Sequence, residues 1–485
     1  MSYLLSLSLG PVQDFIAAAR RTADLYAGSQ ILQELCKAAT QALGEQGAEL
    51  IFPSSPEADG ANKILAVVEG HPEKLAEGAR QAVLDHLKRL WQEHTEGFGS
   101  KIDQKRANAQ LETFLEFFAA WLPIQGDYAQ ARQQVERLLA GRKTLRDFAP
   151  IDQADAGVPK SPLDPSRAAV IKPADWANAT VKLEDGHKPL RIRPNEHLDA
   201  LSLLKRIYGA KQGGKVVDTR TMARRANNPE AEPDERYGED DDHIQEPQPY
   251  FAILVADGDR MGALISCQKD REAHRNLSRT LDAFAQQARQ IVQRHRGFMV
   301  YSGGDDVLAF LPVNQVVACA KSLAEEFSQK VNGTLSAGVA IVHYREPLSE
   351  SLEAAREAER AAKRAGRSRL AVALHTRGGA PLTVVRTWDE LKGGPLAWGP
   401  LVEAYRDYRL SRGLAYELAR LARVWPENLD AQALQKEALR ILRRKEGQGI
   451  EMPPLGGPKD LLDFAHQLII ARFLAGLGEK EASHA

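Results

Sequence analysis

The sequence is poor in cysteine, has no long apolar run and carries no excess of either charge, and each shortage removes a class of protein. Its three cysteines, Cys36, Cys267 and Cys319, stand far apart with no Cys-x-x-Cys spacing, which excludes a disulfide framework and a cysteine-only zinc site. They are expected to be ordinary thiols in helices. No stretch of about 18 apolar residues occurs, so no membrane-spanning helix is expected. The N-terminus, MSYLLSLSLGPVQDF, has neither a basic segment nor a small-residue cleavage site, and a cytoplasmic protein is expected. Lys and Arg number 64 against 65 Asp and Glu. That balance excludes a uniformly basic nucleic-acid sleeve while leaving room for a local basic groove. The histidines are scattered, with no His-Glu-x-x-His pattern and no His-Asp dipeptide; they are expected to be packing or surface residues.

What is present is enough for several domains, since 485 residues exceed one ordinary core. Tyr3 to Leu9 reads as a strand ended by Gly10-Pro11, followed by helical spacing to about Gly44. Apolar runs at Glu49 to Pro53 and Lys63 to Glu69 and an amphipathic stretch from Glu73 to Trp91 complete a β-α-β-β-α order. The order returns with a strand at Tyr250 to Ala256, a helix at Asn276 to Arg294, a hairpin of Gly297 to Tyr301 with Val307 to Leu311, and a helix. A strand from Thr334 to Val342, a helix from Ser349 to Arg364 and a strand from Arg369 to Leu374 follow. The expectation is an α+β chain with two ferredoxin-like palm domains, over 1–95 and 249–380. Between them a mainly helical insert is expected over 96–248, helical from Thr95 to Ala140, with a mobile connector over 209–248 that includes the acidic run Glu239 to Asp242. Residues 381–485 are expected to form a separate helical bundle, with helices at Leu401 to Val424, Asp430 to Arg444 and Lys459 to Leu477.

The chemistry is concentrated in Phe251-Ala-Ile-Leu-Val-Ala-Asp-Gly-Asp259 and Phe298-Met-Val-Tyr-Ser-Gly-Gly-Asp-Asp-Val-Leu-Ala-Phe310. A carboxylate, Asp257, closes an apolar strand, and the pair Asp305-Asp306 stands at a hairpin tip. In a β-α-β-β unit the first strand neighbours the hairpin, so all three aspartates are expected at one sheet edge. Phosphoryl transfer needs hard divalent cations on oxygen ligands, with other positions left to water and substrate phosphates. Two ions roughly 4 Å apart would activate a 3′-hydroxyl and neutralise the leaving pyrophosphate. Gly258, Gly303 and Gly304 would let backbone approach a phosphate or base, and Ser302 is expected to touch base or ribose. A Gly-Gly-Asp-Asp tetrad also makes a good turn, but a turn needs only one aspartate, and adjacent carboxylates repel. In Ala361-Ala-Lys-Arg-Ala-Gly-Arg-Ser-Arg369, Lys363, Arg364 and Arg367 gather at a helix end. They are read either as a triphosphate clamp, with Lys363 its foremost member, or as cations favoured at a helix C-terminus. In the first unit Leu9-Gly10-Pro11 stands where the second has Asp257, and the 54–61 connection offers only Glu57 and Asp59. The first palm is therefore expected to be degenerate, either holding a second nucleotide near Gly10 or serving as a packing partner.

These motifs resemble the large, polymerase-like subunit of type III CRISPR interference complexes, most closely the type III-B branch. The likeness spans nearly the whole chain, through Gly10-Pro-Val-Gln-Asp-Phe-Ile16, Leu25-Tyr-Ala-Gly-Ser29, Pro159-Lys-Ser-Pro-Leu-Asp164, Glu196-His-Leu-Asp199, Leu204-Lys-Arg-Ile207, Asp257-Gly-Asp-Arg-Met-Gly262 and Ser302-Gly-Gly-Asp-Asp306. The resemblance implies a ribonucleoprotein with a guide CRISPR RNA, a target RNA that switches it on, a Cas5-like subunit, a small helical subunit and backbone subunits. It implies that the palm converts ATP, with Mg2+ or Mn2+ on Asp257, Asp305 and Asp306, into cyclic oligoadenylate. Many relatives begin with an HD nuclease domain and carry a four-cysteine zinc module. This sequence starts at the first palm without a His-Asp pair and lacks cysteines in the middle, so no HD-type DNase and no zinc are expected. Other readings are coupling of ATP to S-adenosylmethionine at the same palm, a free-standing GGDEF-type cyclase, and a non-catalytic RNA scaffold.

Overall fold

The computed structural model describes residues 1–58, 62–145, 157–181, 190–193, 195–232, 249–444 and 450–476. The chain divides into two compact units, Met1–Asp218 with Arg260–Gln286 and Val300–Asp305, and Thr219–Asp259 with Gln287–Met299 and Asp306–Ala485. Among the described residues no helix is long and apolar enough to cross a membrane.

The first sheet is built from strands β1 (Ser2–Gly10), β2 (Glu49–Phe52), β3 (Lys63–Glu69) and β4 (Glu116–Pro123). Helices α1 (Gln13–Ala17) and α2 (Thr22–Glu45) follow β1, and α3 (Pro72–Thr95) and α4 (Gln104–Glu112) follow β3. The order is β2-β3-β1-β4 with every neighbour antiparallel, the arrangement of a ferredoxin-like split β-α-β. Here the structure corrects the expectation of an all-helical stretch from Thr95 to Ala140 and of a palm ending at residue 95. Glu116–Pro123 is an apolar, aromatic run that takes the free edge of β1, with Leu5 opposite Trp121 and Gly10 opposite Glu116, and so satisfies backbone groups a shorter sheet would leave open. Helix α5 (Tyr128–Thr144) then covers this sheet, with Val135 and Leu139 packed among Leu4, Leu65 and Val67.

The remainder of the first unit is held by buried charge. A two-residue ladder pairs β5 (Thr180–Val181) with β6 (Leu190–Arg191), and helix α6 (Ala200–Lys211) is capped by Asp199, which accepts from Leu201 N and Ser202 N at 3.0 Å each. From α6, Arg206 donates to both oxygens of Asp24 at 2.8 and 3.0 Å and pairs with Glu196. Burial opposes ionisation of Glu196, but Arg206 outweighs it and holds the carboxyl below its usual range. Its neighbour Lys205 donates to the Phe15 carbonyl at 2.7 Å and to that of Ala18, with its ammonium 4.6 Å from the Phe15 ring centroid. Thus Leu25 to Ser29, Glu196 to Asp199 and Leu204 to Ile207 lie on or beside one packing network.

The second sheet runs β12-β11-β10-β7-β9-β8. Its strands are β7 (Tyr250–Gly258), β8 (Phe298–Gly303), β9 (Asp306–Leu311), β10 (Leu335–His343), β11 (Arg369–Leu374) and β12 (Leu382–Thr387). A short helix α7 (Thr219–Arg224) precedes β7, α8 (Met261–Ser266) and α9 (Arg271–Arg294) follow it, and α10 (Val316–Val331) and α11 (Leu348–Arg364) flank β10. The stretch β10-β7-β9-β8 repeats the ferredoxin-like order, and β11 extends it in parallel to β10. Helix α11 lies so close to β10 that a Cβ on Gly338 would stand 2.0 Å from the Glu359 backbone nitrogen.

Two further expectations are revised. Residues 209–232 are not connector: α6 runs to Lys211, and Met222 and Ala223 of α7 are buried. The rest of that connector, with Glu239 to Asp242, lies outside the described residues. The C-terminal helices α12 (Trp398–Arg406), α13 (Leu414–Val424), α14 (Ala431–Arg444) and α15 (Pro458–Leu474) do not stand apart. The buried Arg386 of β12 donates to Gln467 Oε1 at 3.1 Å and to Asp463 of α15, so bundle and sheet belong to one compact unit. The expected 401–424 helix is two helices, interrupted where Tyr408 takes a left-handed φ of 57°.

Two outcomes follow from this packing. Gly338→Ala is expected to cost about 1–3 kcal/mol by overpacking, lowering the thermal midpoint, whereas Gly378→Ala, with nothing within 4 Å of its Cβ, is expected to leave it unchanged. Burial lowers the Lys205 pKa to about 8. The folded state therefore sheds this proton before the unfolded chain does, and stability should rise as pH climbs from about 8 toward the unfolded lysine value. Urea unfolding across that window should show the rise in the wild type and a flatter profile in Lys205→Met.

Candidate functional site

Strand β7 is apolar up to Ala256 and then delivers Asp257, because its neighbours on both sides give it a fixed register. Ala256 pairs with Val307 of β9, and Asp257 pairs with Ser336 of β10. One step beyond Ala256 and Val307, the antiparallel register sets Asp257 opposite Asp306. Directly opposed residues share a sheet face with Cα atoms about 4.5–5.5 Å apart. Both carboxylates are half-buried. Asp305 precedes Asp306 in a two-residue turn whose first member, Gly304, has φ 64°, the position where a type II′ hairpin calls for glycine. A side chain there would be strained in a way that glycine is not.

The ammonium of Lys363, in the last turn of α11, donates to Asp257 Oδ2 and stands 2.7 Å from Glu359 Oε1. Burial alone would weaken its hold on the proton, but Asp257 and Glu359 outweigh burial and raise its pKa above the ordinary lysine value. Lys363 therefore stays charged at neutral pH and places a cation on the Asp257 carboxylate. Glu359 was not an expected site residue, although its i, i+4 spacing from Lys363 is a legible pairing signal. Arg364 turns to Glu357 on the exposed face of α11, so it serves as a helix-surface pair.

Asp259 has a different task from Asp257. It is buried, and its carboxylate accepts from Ser336 Oγ at 2.7 Å, Thr334 Oγ1 at 2.8 Å and Ser368 N at 2.9 Å. Arg367 and Ser368 carry left-handed φ values of 64° and 50°, a strained pair for residues with side chains. Asp259 pins that loop, and with it the end of α11 that carries Lys363. Ser302, expected at base or ribose, is instead fully buried and donates to the Ala285 carbonyl at 3.1 Å; it is a packing residue. Gly258 and Gly303 end β7 and β8 and are buried.

In the first palm Gly10 ends β1 with Glu116 opposite it. Beside this strand end lie a pocket of about 320 Å³ lined by Pro11, Phe15, Glu116, Asp164 and Lys205 among others, and a void of about 10 Å³ lined by Leu9, Val12, Ser29, Gln33, Cys36 and Asn62 among others. The void has room for one water and not for a base, whereas the pocket is of ligand-binding size. Glu57 accepts from Gln41 at 3.3 Å, and Asp59 lies outside the described residues.

Among the described residues no three His, Cys, Asp or Glu side chains converge into a ready-made metal cage. The donor chemistry at the second palm nonetheless suits a hard cation. Magnesium is commonly held by one or two carboxylates with water and substrate phosphates completing the shell, and Asp257 already binds a positive group.

Residues 250–371 match the family described as Cas10/Cmr2, second palm domain, and residues 4–137 match CRISPR-associated protein Cmr2, N-terminal. The chain is Cas10/Cmr2-like. The CRISPR system Cmr subunit Cmr2 of Pyrococcus furiosus is 28% identical over 268 residues, covering 45% of this chain and 30% of that protein. The aligned part thus spans less than a third of that curated relative. Among solved structures, a chain of the type III-B Cmr-beta complex bound to cognate target RNA superposes with a TM-score of 0.67 at 12% identity, covering 98% of this chain and 83% of the other. A chain of the Csm1-Csm4 cassette in complex with cA4 gives 0.53 at 15% identity, covering 98% and 70%. At these identities the superpositions establish a shared fold for the Cas10/Cmr2-like chain.

The two aspartates of the Asp-Gly-Asp motif should separate by stability. Asp259→Ala strands three donors and is expected to cost about 1.5–3 kcal/mol or more. Asp257→Asn alters a half-exposed ion pair and is expected to stay within about 1 kcal/mol of wild type. Urea unfolding of both variants without metal checks the difference.

Proposed function

We propose that the chain is the large subunit of a type III CRISPR complex and that its second palm is a metal-dependent nucleotidyltransferase making cyclic oligoadenylate from ATP. The observation that carries the reading is the pairing of Ala256 with Val307, which continued by one step brings Asp257 opposite Asp306, in a stretch similar to the second palm domain of Cas10/Cmr2. Asp257 and Asp306, with Asp305 beside the latter, would hold Mg2+ or Mn2+. A divalent cation, when bound, supplies the positive charge that activates a 3′-hydroxyl and neutralises the leaving pyrophosphate. Gly304 keeps the turn free of side-chain bulk where a triphosphate would approach. Lys363, permanently charged and tied to Asp257, is placed to exchange that carboxylate for a phosphate oxygen. Asp259 keeps the Lys363 end of α11 in place during that exchange.

Guide and target RNA, a Cas5-like subunit, a small helical subunit and backbone subunits are the partners in this reading. Its support is the likeness in fold to chains of Cmr-beta with target RNA and of Csm1-Csm4 with cA4. The test is a reconstituted complex given ATP, Mg2+ or Mn2+ and cognate target RNA. The double variant Asp305→Ala, Asp306→Ala is expected to lower nucleotide product by more than about 100-fold while the complex still assembles. An unchanged yield would refute the catalytic assignment, and failure to assemble would give these residues a structural role.

A further inference from the structure

The C-terminal helices carry a surface that the palm chemistry does not use. Eight large hydrophobic side chains are exposed among the described residues, and Tyr408, Tyr416, Val424 and Leu429 fall in one short stretch. Arg412, Arg420 and Arg423 are exposed in the same stretch. On α13 the residues Leu414, Ala415, Leu418, Ala419 and Ala422 face inward. Tyr416, Arg420 and Arg423, at spacings of four and three, share the opposite face. The one acid of α13, Glu417, is paired with Arg444 at 2.8 Å, so this face presents net positive charge.

Tyr416 is held in place from behind. The guanidinium of the buried Arg472 lies 5.6 Å from its ring centroid, and Arg472 Nη2 donates to the Tyr416 hydroxyl at 3.4 Å. The ring is still 48% exposed, which makes it an orientated flat platform flanked by cations.

We propose that this face binds single-stranded RNA, with Arg420 and Arg423 on backbone phosphates and Tyr416 stacked on a base. A fixed, exposed ring beside arginines is the combination by which single strands are gripped, since every base has a stackable face and every linkage a charge. An acidic protein would use the arginines and leave the ring without a role. The inference stands apart from the palm reading, because binding at α13 is measured with the palm residues intact and no nucleotide present.

The test is fluorescence anisotropy of the full chain with a labelled, mixed-sequence single-stranded 20-nucleotide RNA across a salt series. The double variant Arg420→Gln, Arg423→Gln is expected to bind about tenfold more weakly at low salt, and to lower the slope of log affinity against log salt by about 1.4, or about 0.7 for each phosphate that is no longer neutralised. Tyr416→Ala is expected to weaken binding by about tenfold with the slope unchanged, and Tyr416→Phe to restore it. Affinity and slope equal to wild type in the arginine variant overturn the proposal. So does an arginine variant that keeps RNA affinity but loses binding to the purified small helical subunit, which would make the face a protein interface. Arg420 and Arg423 are exposed, so a wild-type thermal midpoint is expected for the arginine variant, and Tyr416→Phe, which keeps the ring against Arg472, separates loss of stacking from loss of packing in Tyr416→Ala.

Discussion

Two carboxylates on neighbouring strands repel each other, and the second palm is organised around keeping them together. Antiparallel pairing of β7 with β9, from Ala252 with Leu311 to Ala256 with Val307, brings Asp257 opposite Asp306 one step further on. The repulsion is met by Lys363, whose charge is locked in by Asp257 and Glu359. That lysine is in turn held by the fit of α11 against Gly338 and by the loop that Asp259 ties down. Sheet register, helix packing and a buried anchor thus converge on the local balance of charge.

The same arrangement shows how similar residues divide their labour. Asp257 and Asp259 lie two apart in one motif, yet one meets a single side-chain cation and the other meets three neutral donors. A fully satisfied carboxylate makes a poor exchangeable ligand, because displacing its donors would leave buried polar groups without partners. Half-exposed Asp257 can trade one positive partner for another at much smaller cost. The first palm has the same strand order without a carboxylate at the end of β1, and the space beside that strand end is a pocket of about 320 Å³ lined by Pro11, Phe15, Glu116 and Lys205 among others.

The strand and turn that carry the candidate palm residues were legible in the sequence because their signals are local: an apolar strand ending in Asp257, a glycine turn and a pair of aspartates. Both ferredoxin-like units could be read for the same reason, through their alternating strand and helix periods. What escaped depended on distant partners. The donors of Asp259 come from Thr334, Ser336 and Ser368, and no spacing rule announces them. Ser302 read as a ligand because it neighbours the glycines, whereas its hydroxyl is taken by a carbonyl of α9. Glu116–Pro123 read as helix because its apolar residues have no clean alternation; its strand conformation is decided by the open edge of β1. The break between α12 and α13 rests on one left-handed residue, Tyr408, which tyrosine rarely signals.

The turn between β8 and β9 contains only Gly304 and Asp305 between paired strands, and side chains alternate faces along each strand. Adding or removing a single residue in β9 between Asp306 and Val307 would carry Asp306 to the reverse of the sheet while leaving its identity untouched. The spacing of the tetrad is therefore as binding as its letters, and change at this corner is confined to exchange of one side chain for another, with length variation pushed out to the surface loops.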